Sequence, residues 1–158
     1  MIKSIFIALL LVSITTVCLA EFTMSTDTSN IPFGKMDIGE WKEKGGGSYH
    51  NQLTCKSTKS KTWYIKIYVL APLASGTKTI DNSNFKYMPG WTNGTGNVQN
   101  QYSYNAFTAI PALVYISGPD DNSGNEIYIQ FKYGLSIPAN QIAGIYNTTV
   151  QYVMTETL

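Results

Sequence analysis

His50 and Cys55 are the side chains in this sequence with the chemistry of a nucleophilic site, and they lie five residues apart. A catalytic thiolate needs a base beside it, and the base needs a third group to orient it. Five is an odd offset, and along an extended chain it sends the two side chains to opposite faces. No Gly-x-Ser-x-Gly elbow, paired-histidine motif or phosphate-cradling glycine loop accompanies them. The one histidine and Cys55, with Cys18 far off in the apolar N-terminal stretch, fall short of a zinc set. The expectation is therefore a non-enzyme with no catalytic residue, no metal and no cofactor, in which Cys55 is a buried thiol.

Oxygen ligands concentrate in Asp120-Asp121-Asn122-Ser123-Gly124-Asn125-Glu126. Calcium takes six to eight such oxygens, and Gly124 falls one place early for an EF-hand loop. Two readings stay open: a calcium loop using Asp120, Asp121 and Glu126, or a solvated hairpin turn. Aromatic side chains are the larger surplus, with three Trp and eleven Tyr. Flat exposed rings stack on sugar rings. Trp63 alternates with Ile65 and Ile67 and reads as core. Trp91, in the Pro89–Gly94 loop, is the first candidate for an exposed ligand contact. Tyr64, Tyr68 and Tyr128 lie opposite their strands' apolar residues, as a contact patch or as the cover of a second sheet face.

The elements that would position these residues are strands. Thr62 to Leu70 alternates Trp63, Ile65, Ile67 and Val69 with Tyr64, Lys66 and Tyr68. His50 to Lys56 precedes it across the polar turn 57–61, and the two read as a hairpin. Ala112 to Ser117 and Glu126 to Tyr133 read as a second hairpin, joined by the Gly118–Asn125 turn. Tyr146 to Glu156 alternates as a last strand. Shorter strands are expected at Ile31 to Ile38, at Phe85 to Met88 and around Val98 to Phe107. Seven to nine antiparallel strands with one polar face each fit two sheets packed face to face.

The most specific stretch is Ile137-Pro138-Ala139-Asn140-Gln141-Ile142-Ala143-Gly144-Ile145-Tyr146, followed by the alternating 147–152. It resembles the closing corner of bacterial secreted immunoglobulin-like domains, among them fimbrial subunits and spore-coat-U-like proteins. Thr62 to Ile67, Pro72-Leu73 and Asn82 to Phe85 resemble the same domains. The resemblance implies an immunoglobulin-like antiparallel sandwich. Its corner would be defined by Ala143, Gly144 and Tyr146, the tyrosine hydrogen-bonding back to the turn.

Residues 1–20 read as a secretory signal peptide: Lys3, the apolar run Ile5 to Val12, and small residues at Cys18 and Ala20. The run is short for a transmembrane helix. Residues 21–158 then form one domain, secreted or held at the cell surface. Lys3 and Cys18 leave with the signal. Ten lysines then face ten acidic residues, with no arginine and no cysteine pair. Zero net charge without arginine excludes a nucleic-acid binder. The expected role is a structural or assembly subunit of a bacterial surface or extracellular structure such as a pilus, filament or coat. Its expected partners are copies of itself or other surface proteins. The alternative is an adhesin-like module that binds a glycan.

Overall fold

The computed structural model describes residues 21–158, so the expected signal peptide lies outside the described residues. Twelve strands follow in order: β1 (Phe22–Thr26), β2 (Trp41–Lys44), β3 (Asn51–Ser57), β4 (Tyr64–Val69), β5 (Leu73–Ser75) and β6 (Lys78–Ile80), then β7 (Phe85–Thr92), β8 (Asn97–Val98), β9 (Asn105–Ala106), β10 (Ala112–Ile116), β11 (Glu126–Ser136) and β12 (Val150–Thr155). Eight of them have four or more residues. The large sheet runs β1-β3-β11-β7-β9, with β2 beside the far half of β11. The small sheet runs β12-β4-β10-β8. All pairings are antiparallel, and the molecule is an all-β sandwich.

The period-two patterns become the core. Leu53 and Cys55, Ile65, Ile67 and Val69, Phe85 and Tyr87, and Ile127, Ile129, Phe131 and Tyr133 point inward and are buried. Phe107 packs against both Phe85 and Tyr133, with ring centres 4.4 and 6.4 Å away. Each such aliphatic or aromatic side chain contributes about 1.5–3 kcal/mol by leaving water.

Neither expected hairpin forms. β3 pairs with β1 and β11, whereas β4 pairs with β10 and β12. The 58–63 connection crosses from one sheet to the other, with Trp63 buried in the crossing. Ser117 meets it there, its N–H donating to the Trp63 carbonyl and its Oγ accepting from the Trp63 N–H, each at 2.9 Å. β10 and β11 are likewise in different sheets. Five polar residues can turn a hairpin or span the roughly 10 Å between sheets, and side-chain alternation is identical in the two cases.

Three strand expectations also change. Residues 31–38 form no strand: Pro32 and the left-handed Gly34 (φ +70°) interrupt them, while Ile31, Phe33 and Met36 pack against the core from irregular chain. The last strand begins at Val150. Residues 146–149 turn away first, and Asn147 pairs with Ala74 instead. The region around 98–107 yields only the two-residue β8 and β9. Among the described residues no helix is long and apolar enough to cross a membrane.

Candidate functional site

The residues with nucleophilic chemistry are separated. Cys55 lies in the core, and burial pushes its thiol up to about 12, so it stays protonated. His50 sits just before β3, its Nε2 2.9 Å from the Asn30 carbonyl and its ring edge to face with Tyr133, centres 5.9 Å apart.

The Asp120–Glu126 segment is not a hairpin turn, and although most of it is solvated Asp121 is not. It forms a short 3-10 turn, Pro119–Asn122, and Asp121 is only 1% exposed. Its Oδ1 accepts from the Thr95 N–H at 2.8 Å and from Thr95 Oγ1 at 3.2 Å. Its Oδ2 accepts from the Tyr115 hydroxyl at 2.6 Å and the Gly118 N–H at 2.7 Å. Burial and this carboxylate hold the Tyr115 hydroxyl well above its usual range. The buried carboxylate is thus a four-bond staple between loops, and its oxygens are committed. Glu126 points elsewhere, accepting from the Tyr128 hydroxyl at 2.6 Å. Among the described residues no group of three or more His, Cys, Asp or Glu lies together to hold a metal.

The tyrosines chosen from alternation do not meet. Tyr64 and Tyr68 lie on the outer face of the small sheet, and Tyr128 on the outer face of the large one. Trp91 is 48% exposed, and its setting has a local cause. Ile129 pairs with Thr92 and Phe131 with Pro89, so Gly90 and Trp91 together face Gln130. This β-bulge reverses the phase of β7. Trp91 would otherwise point inward with Phe85 and Tyr87; the bulge turns it out and sends Thr92 in, toward the Tyr115 hydroxyl. Trp91, Tyr102, Tyr49, Met88 and Gln130 then line a depression of about 220 Å³ on the large sheet's outer face.

At the 137–146 corner Tyr146 bonds back to the turn. The Tyr146 hydroxyl donates to the Ile142 carbonyl at 2.7 Å and accepts from Gln141 Nε2 at 2.5 Å. Gly144 approaches Ser75 so closely that a Cβ would lie 2.6 Å from its Oγ. Ala143 is exposed in the same turn.

A feature without a sequence signal lies beside that corner. An open groove of about 1060 Å³ begins at Thr26, where β1 ends, and at Val150, where β12 starts. Phe33, Leu73, Ile80, Phe85, Leu135 and Ile137 are among its lining residues. Ile38, Ile142 and Ile145 stand exposed around it, Ile145 at 81%. At its head Asn51, Tyr133 and Tyr152 close a ring of hydrogen bonds. Tyr133 donates to Asn51 Oδ1 at 2.5 Å, so Tyr152 must donate to Tyr133, and Asn51 Nδ2 donates to Tyr152 at 3.3 Å. The ring ties the two sheets together, and burial pushes the Tyr152 hydroxyl up to about 12. No protein-family model, curated protein or solved structure matches this chain.

Proposed function

We propose that the chain is an exported, non-enzymatic subunit of a bacterial surface or extracellular structure, a pilus, filament or coat, built by association of its own copies. One observation carries the proposal: the two sides of the sandwich are finished differently. On one side the edge strands β8 and β9 are two residues long, a common way of blunting an edge against pairing. On the other side β1 (Phe-Thr-Met-Ser-Thr) and β12 (Val-Gln-Tyr-Val-Met-Thr) are longer and hold no charge and no proline. Each stands at the edge of its sheet and is paired on one side only. The groove opens at the end of β1 and the start of β12, with exposed isoleucines around its mouth.

An extended segment of a second copy pairing along β1 or β12 would place alternate side chains toward the groove. Zero net charge over residues 21–158 means that copies do not repel one another. The test is size-exclusion chromatography with light scattering, and negative-stain microscopy, of residues 21–158. Concentration-dependent oligomers or filaments are expected. Ile142→Asp combined with Ile145→Asp should return the protein to a monomer without lowering Tm, since both side chains are exposed. A wild-type chain that stays monomeric at high concentration overturns the proposal.

A further inference from the structure

The outer face of the large sheet carries a second surface, whose depression shares no lining residue with the groove. Along β11 its outward positions are Tyr128, Gln130, Lys132 and Gly134. Trp91 stands beside Gln130, turned out by the bulge. Trp41, on β2, sits directly over Gly134: a Cβ there would lie closer than 3.0 Å to two atoms of its ring. Only glycine admits the ring at that position. Trp41 is 45% exposed and Trp91 48%. Gly134 lies four residues beyond Gln130 along β11, about 13 Å at the rise of an extended strand, so the two indoles stand at separate positions on one face.

The tyrosines around them are held in place. Tyr104 meets Trp41 edge to face, with ring centres 5.2 Å apart, and its hydroxyl donates to Glu43 at 2.5 Å. Tyr102 has φ +61°, a left-handed conformation uncommon for a bulky side chain. It is fixed there by its own N–H donating to the Pro89 carbonyl at 2.8 Å, and Gln101 Nε2 donates to the Gly90 carbonyl at 3.0 Å. The loop is therefore clamped to the bulge that exposes Trp91, and Tyr102 shares the depression with it. Strain held by surrounding contacts is a mark of binding and switch sites.

We propose that this face binds an extended neutral glycan, one sugar ring stacking at Trp91 and Tyr102 and another at Trp41. The chemistry selects the class. Flat rings offer stacking to the apolar face of a pyranose, while Gln130 and Ser48 supply neutral polar groups for hydroxyls. Of the two cations nearby, Lys132 reaches Glu43 at 3.6 Å, and Lys86 places its ammonium 5.9 Å from the centre of the Trp41 ring. A polyanion finds no arginine here, and a nucleic acid would need a basic stripe. The inference is independent of the groove and of self-association.

The test is binding of residues 21–158 to a neutral-glycan microarray, followed by calorimetric titration with a hexasaccharide from the family that binds best and its disaccharide. At least one neutral glycan family is expected to bind. The hexasaccharide should bind at least tenfold more tightly than the disaccharide, because only the longer chain reaches both indoles. Trp91→Ala and Tyr102→Ala should each weaken binding at least tenfold with unchanged Tm, and Trp91→Phe should retain most of it. High salt should leave the affinity unchanged. Silence across the array overturns the proposal, as does binding that ignores both substitutions or disappears in salt. Because the array reads glycan binding in monomer and oligomer alike, failure here and failure of self-association are separately visible.

Discussion

Removing the Asp121 carboxylate should unfasten one end of the sandwich. In Asp121→Ala the N–H groups of Thr95 and Gly118, the Thr95 hydroxyl and the Tyr115 hydroxyl all lose their acceptor. A buried donor left without a partner costs about 1–3 kcal/mol, and more where the lost partner was charged. The variant recovers the cost of burying a carboxylate, so the effects do not add in full, and the expected net loss is about 3–5 kcal/mol. That is a large part of the roughly 5–15 kcal/mol that holds a domain folded. Urea unfolding followed by tryptophan fluorescence reads it directly, because Trp63 packs on Tyr115 with ring centres 5.4 Å apart. Asp120→Ala, one residue away and exposed, is the control and should fall within about 0.5 kcal/mol of wild type. Asp121→Asn should lie between the two, since its amide keeps one acceptor but turns a donor toward groups that also donate. Added calcium should not raise Tm, because the Asp121 oxygens are already engaged. The reasoning fails if Asp121→Ala loses less than about 1 kcal/mol, or no more than Asp120→Ala does.

Two further perturbations follow from the same geometry. Gly96→Ala would bring a Cβ closer than 3.0 Å to the Ile116 carbonyl and the Tyr115 hydroxyl; a backbone neighbour cannot swing aside, so chemical denaturation should show a loss of about 1–3 kcal/mol or more, and an unchanged midpoint would contradict the close approach. Alkaline pH should unfold the protein. The Cys55 thiol is raised from 9.0 to about 12 and the Tyr152 hydroxyl from 10.0 to about 12, so both stay neutral in the fold after the unfolded chain has begun to ionise. Their stabilising effect is complete below pH 9 and is lost as pH rises toward 12, by about 1.4 kcal/mol per pH unit for each group in that window. Cys55→Ala should shift the onset of the melting-temperature decline upward from near pH 9; a profile identical to wild type would place the sensitivity elsewhere.

The strands that carry the core were legible because a half-buried strand must alternate, and β3, β4 and the first half of β11 do so without exception. What alternation cannot encode is which sheet a strand joins, and so both crossings read as hairpins. β2 was missed because Trp-Lys-Glu-Lys has no apolar face: it lies along β11, and its tryptophan covers a glycine. The outward turn of Trp91 depends on one extra residue opposite Gln130, which only pairing reveals. The burial of Asp121 had a faint signal in Gly94, Gly96 and Gly118, three glycines where chains must pass closely around Tyr115 and Thr95. The groove had none, since it is bounded by elements far apart in sequence. Its lining comes from 26–38, Asn51, 73–85 and 135–152.

Hydrogen–deuterium exchange of residues 21–158, compared between dilute and concentrated solution, tests assembly through the open side most directly. Amides of β1 and β12 and of the 137–149 segment at the groove should gain protection with concentration, while those of β8 and β9 stay as they were. Protection that does not change with concentration, or that rises at β8 and β9 instead, would contradict it.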